Sequence, residues 1–128
     1  MIYVDSSVAL AHLAVEPRSP PESLWAESLV SSKLLEYEVW NRIHVYRLTD
    51  TLGENAGNLL ALVDMVEMTR LVLARASAPF PIAVRTLDGL HLATAVFLNA
   101  VSDPVLLASY DARMLNAARA LGIELAVL

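Results

Sequence analysis

Three aspartates stand at comparable places in the chain. Asp5 ends the apolar run "IYVD", Asp111 ends "LLASYD", and Asp88 opens "DGLHLATA". A carboxylate where a helix begins has two uses. It can cap the helix by accepting a hydrogen bond from a free backbone N–H. It can also act as a hard oxygen ligand for a divalent cation. A carboxylate has two oxygens, so the uses are compatible, and for any one Asp the cap is the simpler reading. The set points further. In an open α/β sheet the loops leaving the carboxyl ends of the strands gather along one edge, where ligands bind. Asp5 and Asp111 must share that edge, and they lie close if their strands are neighbours.

Two glutamates, Glu36 and Glu38, sit in "LLEYEV". The apolar positions Leu35, Val39, Ile43 and Tyr46 recur at helical spacing, and a rotation of about 100° per residue puts the two glutamates on opposite flanks of that stripe. Geometry leaves both available. The simplest role for Glu38 is an exposed pair with Arg42, worth about 0.2–0.5 kcal/mol. The simplest role for Glu36 is a solvated edge. His91 stands one turn after Asp88, while His12 and His44 read as ordinary helix residues. The histidines have no paired ligand spacing, which argues against zinc. There is no cysteine, so disulfides, thiolate zinc sites and cysteine nucleophiles are excluded, in keeping with a reducing cytoplasm.

The elements that must position these residues can be read from the hydropathy pattern. "IYV" at 2–4 predicts a buried strand and "SSVALAHLAVE" at 6–16 a helix. Prolines in "EPRSPPES" end that helix. Ser19 or Ser23, with Pro20 or Pro21 in the first turn, then starts a helix over 22–29. "LVSS" at 29–32 predicts a strand, and helices follow over 33–48 and 53–65. "VEMTR" at 66–70 reads as a short strand, "LVLARASA" at 71–78 as a helix, and "PFP" at 79–81 as a loop. A helix over 86–100, a strand over 104–111, a helix over 112–122 closed by Gly122 and a strand over 123–128 complete the chain. The alternation predicts an α/β fold with a mostly parallel sheet of four or five strands flanked by helices.

The 128 residues suit one domain with one core, spanning 1–128. Hydrophobic residues make up 56 % of the chain, which implies a dense core and an apolar surface for a partner. No apolar run reaches the roughly 18–20 residues of a membrane helix, and no signal peptide opens the chain. Trp25, Trp40 and Tyr46 read mostly as core. The formal charge is −5, so bulk electrostatics do not favour nucleic acid. Two divalent cations held by four acids would bring −5 to −1.

The stretches "YVDSSVAL" at 3–10, "SSKLLEYEVWNRI" at 31–43, "RTLDGLHLATA" at 85–95 and "ASYDARMLNAARALGIEL" at 108–125 resemble the PIN-domain family, and within it the VapC-type toxin ribonucleases. They occur in the family's order from end to end of the chain. "LDGLHLATA", followed by "SYD" and a helix, is the most specific part. Carried over residue by residue, the family's acidic site falls on Asp5, Glu38, Asp88 and Asp111. Glu38 is favoured over Glu36 because the family's glutamate stands seven residues after the first serine of "SS" and directly before an apolar residue. Ser6 and Ser109 match hydroxyl positions beside those acids. His91 matches the family motif as a packing or hydrogen-bonding residue rather than a base.

The resemblance implies a Mg²⁺-dependent, or Mn²⁺-dependent, endoribonuclease. It would cut single-stranded RNA with water to leave a 5′-phosphate and a 3′-hydroxyl. It also implies a VapB-like antitoxin as inhibitor, a homodimer, and action in the cytoplasm. Arg42, Arg85 and Arg113 stand near the acids and are candidates for RNA phosphates. Arg113 lies in the first turn of a helix, where a cation is unfavourable without a partner, which makes it the best candidate of the three. Two other readings compete. One is a PIN-like domain that binds RNA or a partner without catalysis. The other is a receiver-type signalling module, but no acid neighbours Asp5 and Lys33 is the sole lysine, whereas a receiver needs adjacent acids and a late lysine. The "DSS" at Asp5 also lacks the second Asp of a haloacid dehalogenase phosphatase.

Overall fold

In the computed structural model, which describes residues Met1–Leu128, five parallel strands form one sheet in the order β3-β2-β1-β4-β5. These strands are β1 (Ile2–Val4), β2 (Leu29–Ser32), β3 (Val63–Val66), β4 (Leu106–Ala108) and β5 (Glu124–Leu125). Six helices connect them: α1 (Ser6–Leu13), α2 (Leu34–Val45), α3 (Thr49–Leu60), α4 (Arg70–Ser77), α5 (Thr86–Val101) and α6 (Ala112–Ala120). The α/β fold with a parallel sheet is as the sequence implies.

β1 lies at the centre, with Ile2 opposite Leu29 on one side and Leu106 on the other. Side chains alternate between the faces of a strand, and the core divides accordingly. Val4 joins Val8, Leu35, Val39, Ile43 and Leu59 on the face covered by α1, α2 and α3. Tyr3 joins Leu92, Leu98, Leu107, Met114 and Ile123 on the face covered by α5 and α6. Burial on both faces explains why the strands are apolar runs rather than alternating ones.

Because β1 and β4 are neighbours, the chain segments after them meet. The Asp5 N–H donates to Ala108 O at 3.0 Å. Both α1 and α6 therefore begin at the same edge of the sheet.

Several element boundaries differ from the expected ones. The helix expected over 22–29 is a 3₁₀-helix limited to Glu22–Ala26, because the chain must straighten to enter β2 at Leu29. Neither Ser19 nor Ser23 caps it. Ser19 Oγ donates back to Ala11 O at 3.1 Å and secures the turn after α1. The helix expected over 53–65 begins earlier, at Thr49, and ends at Leu60. Its last residues belong to β3, whose pairing from Leu29↔Val63 to Ser32↔Val66 extends the sheet. The helix expected to run to Leu48 stops at Val45, and Arg47 turns the chain with φ 54°. Tyr46, expected in the core stripe, consequently lies beyond the helix and is 61 % exposed.

Candidate functional site

The backbone of Asp5 occupies the N-cap position of α1, but its side chain makes no capping bond. The carboxylate is buried (3 % exposed), and Oδ2 accepts hydrogen bonds from two hydroxyls, Ser7 Oγ and Ser109 Oγ, each at 2.8 Å. Those hydroxyls are anchored in turn. Ser7 Oγ accepts from the Tyr110 N–H at 2.9 Å, and Ser109 Oγ accepts from the Asp111 N–H at 3.0 Å. The β4–α6 turn is thus tied to the start of α1 through two serines, and Asp5 Oδ1 keeps no protein partner.

Asp111 uses its two oxygens separately. Oδ1 caps α6, accepting from the N–H groups of Arg113 (2.9 Å) and Met114 (3.3 Å). Oδ2 accepts from Arg85 Nη2 at 2.6 Å. Asp88 is no cap, because the N-cap of α5 is Arg85, and Asp88 stands in the first turn of the helix. Its Oδ2 accepts from Arg85 Nε at 3.1 Å. Burial pushes the Asp88 carboxyl above its ordinary value. Arg85 opposes that shift, and the charges of Asp111 and Asp5 reinforce it. Asp88 therefore sits in the same electrostatic field as the two other aspartates.

The structure separates the two glutamates. Glu36 pairs with Lys33 at 2.6 Å on the outer surface. Glu38 makes no pair with Arg42. Its Oε2 accepts from Ser6 Oγ at 3.0 Å, and its Oε1 meets Nε2 of the buried His91. Asp5, Glu38, Asp88 and Asp111, drawn from four distant segments, all line one open cleft of about 680 Å³. Arg18, Arg42 and Arg85 line it as well. Arg113 does not, although its backbone N–H serves Asp111.

The chemistry of this donor set is oxygen throughout, with no thiolate and with its one nearby imidazole engaged by Glu38. Such donors suit hard cations such as Mg²⁺ and Mn²⁺. No three His, Asp or Glu side chains are already drawn together as an ion cage. The cation between Asp88 and Asp111 is the Arg85 guanidinium. The residues fit a hard cation by type and by charge.

Three participants escaped the sequence reading. Ser7 holds Asp5 directly, and only the "SS" doublet hinted at it. Arg18 donates to Tyr110 O at 3.1 Å and lies 4.6 Å from the Tyr110 ring centre, a contact across sequence that no local pattern announces. Tyr3 looked like a strand residue and bonds to His91.

The PIN domain profile matches residues 2–120. The chain is similar to Ribonuclease VapC46 of Mycobacterium tuberculosis strain ATCC 25618 / H37Rv, 38 % identical over 130 residues that cover 95 % of this chain and 93 % of the relative. It is also similar to Ribonuclease VapC35 of strain CDC 1551 / Oshkosh, 32 % identical with 96 % and 93 % covered. A third relative, Ribonuclease VapC47 of the same strain, is 28 % identical with 95 % and 93 % covered. No solved structure matches at a comparable level. A parallel five-stranded sheet, an acidic cleft at its carboxyl edge and a match along nearly the whole chain agree: the chain belongs to the PIN-domain family, and its relatives there are VapC ribonucleases.

Proposed function

We propose that the protein is a metal-dependent endoribonuclease that hydrolyses RNA phosphodiesters in the acidic cleft, with Asp5, Glu38, Asp88 and Asp111 as its metal-binding and catalytic residues. The observation that carries this reading is the convergence of four acids from the β1–α1 junction, α2, α5 and the β4–α6 junction on one cleft. Mg²⁺ or Mn²⁺ bound there would supply an activated water and neutralise the leaving oxygen. Water adds to phosphorus, the 3′-oxygen leaves as a hydroxyl, and the downstream fragment keeps the 5′-phosphate.

The chain's own residues set up this chemistry. Ser7 and Ser109 fix Asp5 by one oxygen and leave the other free for a ligand. Ser6 and His91 fix Glu38. Four carboxylates in one cleft repel each other and an RNA backbone, so the cations at the rim matter. Arg18, Arg42 and Arg85 line the cleft and would meet phosphates there, whereas Arg113 does not line it. The test is cleavage of a panel of RNAs with Mg²⁺, comparing wild type with Asp5→Asn. Loss of cleavage by the variant is expected, and equal cleavage by both would sink the assignment.

The resemblance also implies a VapB-like antitoxin and a homodimer. Tyr37, Val45 and Tyr46 at α2, with Leu71 and Leu73 on α4, are large, apolar and exposed, which supports buried partner contacts on those helices. No helix is long and apolar enough to cross a membrane, and the reading places the enzyme in the cytoplasm with its RNA.

A further inference from the structure

His91 lies on α5, is 1 % exposed and stands away from the solvent of the cleft. It connects two buried parts of the molecule. Its Nδ1 lies 2.7 Å from the Tyr3 hydroxyl of the central strand, and its Nε2 meets Oε1 of Glu38 on α2. The Tyr3 oxygen also accepts the Ser32 N–H at 3.1 Å. The Tyr3 hydroxyl is fully buried and, as a neutral phenol, has one hydrogen to donate.

The order of donors follows from these contacts. A carboxylate oxygen only accepts, so Nε2 must carry a hydrogen to face Glu38. The Tyr3 oxygen already takes the Ser32 N–H, and with His91 neutral it gives its own hydrogen to Nδ1. The chain of bonds runs from Ser32 to Tyr3, from Tyr3 to His91, and from His91 to Glu38. Each donor is fixed by the one before it, and the last holds one oxygen of an acid on the cleft, while Ser6 holds the other.

We infer that His91 is a positioning residue for Glu38: the Tyr3 hydroxyl fixes the imidazole as an Nε2–H donor, and that donor aims the Glu38 carboxylate into the cleft. The inference rests on the nuclease reading for its purpose, but not for its geometry. Side chains that orient a ligating group act through metal affinity, with losses of roughly 10- to 100-fold when removed. A buried histidine kept only for packing would be replaceable by an apolar side chain of similar size.

The experiment has two arms on the full chain. In the first, ¹⁵N NMR of histidine-labelled protein without metal reads the His91 tautomer. The Nε2–H form is expected in wild type, with the Nδ1 resonance shifted in Tyr3→Phe as it loses its hydrogen-bond donor. An Nδ1–H tautomer or a doubly protonated imidazolium in wild type overturns the inference. In the second arm, Mn²⁺ binding is followed by electron paramagnetic resonance in wild type, His91→Leu and His91→Gln. The Gln amide nitrogen can replace Nε2 as donor to Glu38, whereas Leu cannot. Weaker binding by His91→Leu, by about 10-fold or more, with most of the affinity recovered in His91→Gln, is expected. Equal binding by folded His91→Leu and wild type overturns the inference. Should His91→Leu fail to fold, the wild-type tautomer and the Gln variant decide. Wild type that binds no Mn²⁺ overturns the nuclease reading instead, and the tautomer still judges the geometry.

Discussion

The guanidinium of Arg85 lies 2.6 Å from the Asp111 carboxylate, and the same side chain turns its Nε to Asp88 at 3.1 Å. One arginine thereby joins the starts of α5 and α6 and neutralises two acids that otherwise repel. Both contacts are solvent-facing on the arginine side, so they add little to stability. On the proposed reading, the guanidinium would compete with a divalent ion for the same two carboxylates.

Arg85→Ala is therefore expected to bind Mg²⁺ more tightly than wild type and RNA more weakly. Isothermal titration checks the first effect. The second shows as a raised KM for RNA and a salt dependence shallower by about one ion. Unchanged affinity for both ligands would remove Arg85 from the site.

Asp88 gives a pH prediction. Its carboxyl is raised above the ordinary value of 3.8, chiefly by burial. The folded protein therefore holds this proton at pH values where the unfolded chain has released it. The stabilising contribution is fully present below 3.8 and is lost as pH rises through the raised value. In the absence of metal, Asp88→Asn should melt at a higher temperature than wild type at neutral pH, with the difference closing as pH falls toward 3.8. Mg²⁺ should stabilise wild type more than the variant, and thermal melts across pH with and without the ion measure both effects.

Ser7 and Ser109 share Asp5 and lie 3.4 Å apart. Ser109→Ala leaves the Asp111 N–H without its acceptor, and Ser7→Ala does the same to the Tyr110 N–H. Each should cost about 1–3 kcal/mol. Because the two hydroxyls serve the same carboxylate, the double variant should depart from additivity by about 0.5 kcal/mol or more. Urea unfolding of the four proteins gives the cycle, and strict additivity would mean that the two serines act independently.

The legible parts of this molecule were those with local signals. A β-branched and aromatic triplet before Asp5, and a helix closed by Gly122, are written in adjacent residues. Parallel pairing of β1 with β4 followed from the α/β pattern only as a condition, and the structure meets it. The helix end near Leu60 was misplaced because Val63–Met65 fit a helix and a strand equally well, and the ladder to β2 decides between them. The site was legible as residue types but not as roles. Asp5 sits at a cap position without capping, while Asp111 caps with one oxygen only, and no sequence pattern distinguishes the two. Ser7 beside Ser6, and Tyr3 behind His91, act through contacts between segments far apart in the chain, which periodicity does not encode.

Two glycines with equal room around them should respond in opposite directions. A Cβ added at Gly57 or at Gly122 meets nothing within 4 Å, so packing is the same at both. Gly122 follows α6 with φ 75°, in the left-handed region where a Cβ is crowded by its own backbone. Gly57 lies within α3, on the exposed side, with ordinary helical backbone. Gly122→Ala should therefore destabilise the protein by about 1–2 kcal/mol. Gly57→Ala should stabilise it by about 0.5–1 kcal/mol, chiefly by restricting the unfolded chain. Chemical denaturation of the two variants separates the effects by sign. A destabilised Gly57→Ala would refute the argument from helix propensity at this position.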